Sequence, residues 1–352
     1  MDIAVIGAGG AVGRVLTQLL ISERLLDRER HLLLAGNPSG KSRKQLLGFA
    51  VDLLDAYAGL CPHLHVVFTP EEIRGDLIVM AAGATLPADA SCASGSREML
   101  AQENAPVFEH YASHLARCGH GHEIVICVSN PNELAVAIFA KHLGPKRVIG
   151  MGAFLDSLRF KKEIAASLDI ARQRVHAFML GEHGENMVPL WSGVHIYGFS
   201  DEQLRDAFAD MRGKHQLGQL TADVAQVRKE IAALIAKGDI SACYELAACC
   251  PPDIRAMVKP FITHFSGSKT AVGTAKATLK LLQAITMGHD TFIAGQVSTE
   301  GAFYGISSTI GVPFIIGNKG VENIVELPMT EEEAALLRQC AQHVNRKLRP
   351  FI

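Results

Sequence analysis

The first half of the chain is built from short apolar runs, each ending in glycine or a polar turn and most followed by a helical pattern. This organisation limits the possible folds more than any other feature. The strand candidates are Asp2–Gly7, His31–Gly36, His65–Phe68, Leu77–Ala82, Glu123–Ser129 and Arg147–Met151. Between them, Val12–Ser22, Lys44–Tyr57 and Leu100–Ala116 carry apolar residues at helical spacing. Runs such as DLIVMAA and EIVICVS do not alternate apolar with polar, so both faces of those strands must be covered. Strands buried on both faces and alternating with helices imply an α/β fold, a doubly wound parallel sheet.

The pattern changes near residue 150. Asp156–Ala166 reads as helix, and HAFMLGEH and PLWSGVHIYG read as strands of a mixed sheet. Asp201–Lys237 reads as one long amphipathic helix, and Cys249–Pro252 as a breaker. Thr270–Ile285 is helical, and FIAGQVS, AFYGISS and VPFIIGN read as strands. Glu331–Leu348 is a terminal helix with acids at its start and bases at its end, as the helix dipole favours. The expected division is 1–150 for the first domain and 151–352 for an α+β domain with a mixed or antiparallel sheet. A chain of 352 residues has room for both.

Composition excludes several partners. With Lys+Arg at 34 and Asp+Glu at 36, the net charge is −2, so no general footprint for nucleic acid or an anionic membrane is expected. No apolar run approaches the roughly 18–20 residues of a membrane span, and no secretory signal pattern opens the chain. The eight cysteines contain no Cys-x-x-Cys pair, which suits reduced thiols and a cytoplasmic location.

The first strand runs into Gly7-x-x-Gly10-Ala11-Val12-Gly13, which opens the first helix. Glycines there permit a tight turn and close backbone approach, and the helix start offers free N–H groups to a pyrophosphate. Dinucleotide binding is the expectation, through Gly7, Gly10, Ala11, Val12 and Gly13. At the end of the second strand a carboxylate would mark NAD, by accepting from the ribose 2′-hydroxyl. Gly36 stands there instead, followed by Asn37-Pro38-Ser39-Gly40-Lys41-Ser42-Arg43. With the carboxylate gone and Ser39, Lys41 and Arg43 at hand for a 2′-phosphate, NADP is favoured over NAD. SGKS in this stretch imitates a nucleotide-triphosphate loop, but Ala35 stands where that motif needs glycine.

Three further segments carry chemistry. Val128-Ser129-Asn130-Pro131-Asn132-Glu133 ends a strand, Asp156-Ser157-Leu158-Arg159 lies on a helix, and Gly181-Glu182-His183-Gly184 lies at a strand–turn junction. In this order, behind the glycine loop, they make the chain resemble the lactate/malate dehydrogenase family over nearly its whole length. The resemblance implies a Rossmann domain followed by a catalytic domain. It also implies hydride transfer between a nicotinamide cofactor and a small 2-hydroxy/2-oxo acid, and a homodimer or homotetramer. His183 would be the acid–base group, since imidazole titrates near neutrality. Asp156 would orient it, Arg159 would grip the substrate carboxylate through its planar fork, and Asn130 would bond the substrate oxygen. Arg97, seven residues before Asn104, would polarise the reacting carbonyl. Gly83, Asn104, Val128 and Asn130 fall where the family meets its cofactor.

The chain departs from the family in two places. In the family, the segment after Gly83 closes over the substrate, and malate enzymes carry an extra arginine on it. Here no arginine or lysine lies between Gly83 and Arg97, which counts against a standard malate dehydrogenase. The stretch from Phe199 to Ser268 is longer than the family norm and is followed by Lys269, which reads as a surface lysine at a helix start or as a replacement for that arginine. Two rival functions stand beside the dehydrogenase: an NAD-dependent glycosidase, which needs a Cys/His metal site, and a non-catalytic dinucleotide sensor. His110, His114, Cys118, His120 and His122 could supply metal ligands, but read better as a solvated helix end. No metal is expected.

Overall fold

The computed structural model describes residues 1–39, 41–85, 96–184 and 186–352, with all their side chains except those of Lys41, Ser96 and Arg97. Six strands open the chain: β1 (Ile3–Ile6), β2 (His31–Ala35), β3 (His63–Val67), β4 (Leu77–Met80), β5 (Ile124–Cys127) and β6 (Val148–Gly150). All are parallel, in the order β3-β2-β1-β4-β5-β6. Every residue of β1, β4 and β5 is buried, as their unbroken apolar runs require. Helices α1 (Ala11–Ser22), α2 (Lys41–Ala56), α3 (Ser96–Cys118) and α4 (Asn132–Leu143) make the longer connections. Strand order reverses between β1 and β4, so a crevice opens at their carboxyl ends, where Gly7 and Gly83 sit.

After β6 the chain forms α5 (Gly152–Ser167), β7 (Val175–His176), β8 (Met179–Gly181), β9 (Met187–Pro189) and β10 (His195–Ile196). Four helices follow: α6 (Asp201–Arg212), α7 (Leu220–Ala236), α8 (Ile240–Ala248) and α9 (Pro252–Phe265). Then come α10 (Ala271–Met287), β11 (Thr291–Ser298), β12 (Thr309–Gly317), β13 (Gly320–Ile324) and α11 (Glu331–Leu348). The sheet does not stop at β6. β11 joins it antiparallel through Gln296↔Gly150, and β12, β8 and β9 extend it, with β13 also on β12. β7 and β10 pair separately.

Two apolar clusters hold the molecule. One fills both faces of the long sheet and takes in α10 and α11. The other gathers Phe160 and Ile164 of α5, Trp191, Ile231, Cys243 and Met257, and so anchors helices α7, α8 and α9. There Trp191 meets Phe160 edge-to-face and donates its indole N–H to Asp253 at 2.9 Å. No helix among the described residues is long and apolar enough to cross a membrane.

Three expectations are corrected. Asp201–Lys237 is two helices, because α6 ends at Gly213, whose φ of +56° the helix cannot continue. AFYGISS is a turn, with Gly301 and Gly305 at φ +85° and +71° and one bridge between Phe303 and Ile306. PLWSGVHIYG breaks into the end of β9, a 3₁₀ turn at Trp191–Gly193, and β10. The sequence reading also missed β13, a short hairpin partner without an apolar run.

Candidate active site

The chain leaves β1 at Gly7 with φ +88°. A Cβ on Gly7 would lie 2.6 Å from the backbone of Ala81, and one on Gly13 would lie 2.3 Å from Gly7 O. Packing alone demands glycine at both positions. Gly10 is different: its Cβ would meet only Gly7 O, at 3.2 Å. It is exposed, precedes Ala11 and Val12, and no side chain caps the helix there. The first turn of α1 therefore presents N–H groups and its positive dipole end to an approach that Gly10 keeps open, which fits a dinucleotide pyrophosphate.

The end of β2 lies beside this loop. A Cβ on Gly36 would fall 2.5 Å from Cδ2 of buried Leu46, so a carboxylate there requires Leu46 to move. Asn37 Oδ1 accepts from Ser39 N and Oγ at 3.0 and 2.9 Å. The Arg43 guanidinium lies 4.2 Å over Phe68. Sequence reasoning overlooked Arg14, which directly follows Gly13. It donates from Nε to Gly9 O at 3.0 Å and lies 4.9 Å over Phe49 of α2. It thus bridges the glycine loop and α2. Its position one residue past the last loop glycine was the available signal.

Across the crevice, Gly83 has φ +139°, and its Cβ would sit 2.7 Å from Asn104 Oδ1. Asn104 is fully buried; it accepts from Ala84 N at 2.7 Å and donates to Ala84 O at 3.1 Å and Asn130 O at 2.7 Å. Its amide ties the end of β4 to the end of β5. Val128 is buried in this tie, and Asn130 beyond it is exposed.

The residues expected to handle the substrate proton, His183 and Asp156, converge from two elements 27 positions apart. Gly152 begins α5, and a Cβ there would fall 2.5 Å from His183 Cγ, so the imidazole rests on the first turn of this helix. His183 Nδ1 and Asp156 Oδ2 are 2.6 Å apart, and Arg159 Nη1 donates to Asp156 Oδ1 at 2.9 Å. The Asp156, His183 and Arg159 side chains are 2%, 14% and 20% exposed. Burial pushes the Asp156 carboxyl up, but the His183 and Arg159 charges and hydrogen bonds outweigh it and hold the group below the usual carboxylate range. Backbone positions are fixed by residues the sequence reading did not single out. Glu133 Oε1 accepts from His183 N at 2.7 Å, and Gln296 Oε1 accepts from Ala153 N at 2.9 Å.

Arg97 lies in the first turn of α3, with its side chain outside the described residues, as is the loop 86–95. Lys269 has φ +46° and lines a cavity that Arg159 also lines. The histidine group lies elsewhere: His114 is buried near Glu71 at 3.7 Å, and His120 lies near Asp76 and Glu123.

The sequence model of the lactate/malate dehydrogenase NAD-binding domain matches residues 1–150. That of the lactate/malate dehydrogenase alpha/beta C-terminal domain matches 153–268 and 262–350. The chain belongs to the lactate/malate dehydrogenase family. It is 28% identical over 352 residues to a malate dehydrogenase of Methanothermobacter marburgensis, covering 98% of this chain and 95% of that one. It is 29% identical over 350 residues to L-lactate dehydrogenase A of Hordeum vulgare, covering 97% and 84%. A lactate dehydrogenase of Cryptosporidium parvum, solved with lactic acid and nicotinamide adenine dinucleotide, shares the fold with a TM-score of 0.76 at 23% identity, covering 99% and 97%. So does the malate dehydrogenase of Aeropyrum pernix, with a TM-score of 0.73, 23% identity and the same coverage. This dehydrogenase is an oxidoreductase that transfers hydride between a nicotinamide cofactor and a 2-hydroxy/2-oxo acid. The glycosidase and sensor readings are not favoured.

Proposed function

We propose that this dehydrogenase moves the substrate proton through His183, orients that ring with Asp156, holds the substrate carboxylate with Arg159, and prefers NADPH to NADH. The observation that carries the reading is the 2.6 Å contact between His183 Nδ1 and a buried Asp156 oxygen. With Nδ1 committed to the carboxylate, a proton enters or leaves the ring at Nε2, and Asp156 stabilises the imidazolium. Arg159 shares the helix face of Asp156 and brings a planar fork suited to a carboxylate. Asn130 would bond the reacting oxygen, and Arg97 would polarise it. With its pyrophosphate held at the glycine loop, the cofactor would supply or accept the hydride through its nicotinamide.

The NADPH preference is supported by the absence of an acid at Gly36, where Leu46 would have to shift to admit one, and by Arg43 and Arg14 nearby. The division near residue 150 is supported by the separate matches of the two family domains. An exposed apolar stripe on α2, formed by Leu47, Val51 and Leu54, supports a homodimer or homotetramer. The free thiols of the seven described cysteines suit the cytoplasm. The test is reduction of a panel of 2-oxo acids with NADPH and with NADH, by the wild type and His183→Asn. Expected are turnover favouring NADPH, and a variant that binds cofactor but does not turn over. Equal use of both cofactors refutes the preference, and an active variant refutes the role of His183.

A further inference from the structure

Between α5 and the start of α10 lies a cavity of about 410 Å³. Its lining includes Arg159, Lys162, Arg172, Lys269, Lys276 and Lys280, and no acidic side chain among the described residues. Three of these cations already have carboxylates: Arg159 has Asp156, Lys162 has Glu163 and Lys276 has Glu23, the residue after α1. Arg172, Lys269 and Lys280 have no ion-pair partner among the described residues. Elsewhere in the domain, the half-buried Arg255 and Lys259 converge on Glu163 and the exposed Lys347 on Glu182, whereas at this cavity Arg172 and Lys269 are exposed and Lys280 is half-buried.

Like charges that share a concave wall raise each other's energy unless an anion joins them. The neighbouring cations add to the effect of burial on these side chains. Burial, then Arg172 and Lys276, hold the Lys280 ammonium below the usual lysine range against the opposing pull of Glu23. Lys161 behind the wall is lowered by burial, by Arg172 and by Lys280. The 17-residue helix α10 also opens on this cavity at Thr270, and no side chain caps its first turn. Its positive dipole end adds to the same field. The cavity falls within the roughly 300–1,000 Å³ of ordinary ligand pockets, and a three-carbon acid held on Arg159 would fill only part of it.

We propose that this cavity extends the substrate site: while Arg159 holds the 1-carboxylate, Arg172, Lys269 and Lys280 bind a second anionic group farther along the same molecule. This rests on the function proposed above and narrows its substrate class to 2-oxo and 2-hydroxy acids ending in a carboxylate, sulfonate or phosphonate-like group. It also supplies the distal cations that the sequence between Gly83 and Arg97 lacks.

The test compares kcat/KM for 2-oxoadipate and 2-oxohexanoate, which have equal chain length and differ in the terminal carboxylate. 2-Oxo-4-phosphonobutanoate and 2-oxo-4-sulfobutanoate serve as further arms to identify the favoured anion. The expected wild-type ratio favours the acid-terminated substrates by at least about tenfold, equivalent to about 1.4 kcal/mol. In the double variant Arg172→Ala/Lys280→Ala the ratio should collapse towards one, and Lys280→Arg should retain it. A wild-type ratio near one, or a preference that survives the double variant, overturns the subsite. Binding is read independently of turnover, from the thermal shift produced by adipate on both proteins. If no 2-oxo acid is reduced, the function proposed above fails, and an adipate shift in the wild type that the double variant loses still supports the anion site. No adipate shift in the wild type overturns it.

Discussion

Asp156→Asn probes the site at its most buried point. The carboxylate is 2% exposed, lies 2.6 Å from His183 Nδ1 and accepts from Arg159 Nη1 at 2.9 Å. Asparagine keeps the shape and removes the charge. Its amide can turn an N–H towards Nδ1, which forces the ring proton onto Nε2 and removes the acceptor that the substrate hydroxyl needs. Holding the wrong tautomer and losing the counter-charge of the imidazolium should raise the barrier by about 3–5 kcal/mol. At about 1.4 kcal/mol per decade, kcat should fall about 10²- to 10⁴-fold. The assay is steady-state turnover at saturating cofactor, with cofactor affinity measured separately by fluorescence titration. Cofactor affinity should stay within about twofold, because the glycine loop is a separate structure on β1 and α1. A kcat within about fivefold of wild type, or a loss that follows cofactor affinity alone, refutes the reasoning.

Glu163 tests the support beneath α5. It is buried and bonds Arg255 Nε at 3.0 Å and Lys259 Nζ at 2.7 Å, so Glu163→Gln should cost about 3 kcal/mol in denaturant unfolding. Burial raises its carboxyl, but Lys259, Lys162 and Arg255 outweigh this and lower it. Its contribution is therefore complete above the unfolded-state value of about 4.3 and is lost as pH falls through the lower folded value, so the gap between wild type and variant should shrink below about pH 4. Gly13→Ala forces a methyl to within 2.3 Å of Gly7 O and should destabilise by about 1–3 kcal/mol, whereas Gly10→Ala should fold and lose cofactor affinity. Equal melting temperatures for the two variants would count against the distinction. Gly36→Asp should shift the NADPH/NADH preference at least about tenfold towards NADH and lower stability by displacing Leu46, as read from kcat/KM ratios and melting. An unchanged ratio would contradict the cofactor argument.

Much of the cofactor half was legible because its evidence is local. Apolar runs without alternation mark doubly covered strands, and the glycines that packing demands stand at fixed offsets after β1. His183, Asp156 and Arg159 were legible only through the joint pattern of motifs, since nothing in a linear chain places His183 against a carboxylate 27 residues earlier. The supports were not legible. Glu133 reaches His183 N across 50 residues and Gln296 reaches Ala153 N across 143; in sequence Glu133 only closes the Val128–Glu133 segment, with no role of its own, and Gln296 is one residue of a strand run. The turn at Gly213 was hidden because the amphipathic pattern continues on both sides of it. The cationic cavity draws Arg172 from before β7 and Lys276 and Lys280 from α10. Only the packing of α5 against α10 brings them together, which a net charge of −2 conceals.

The central claim is direct hydride transfer to carbon 2 of a 2-oxo acid with His183 supplying the proton. It is tested by incubating the protein with reduced nicotinamide cofactor deuterated at the transferring carbon and a panel of 2-oxo acids, followed by mass analysis of the products. The account predicts a 2-hydroxy acid carrying one deuterium at carbon 2 from the wild type and none from His183→Asn. Unlabelled product, or labelled product formed equally well by the variant, would contradict it.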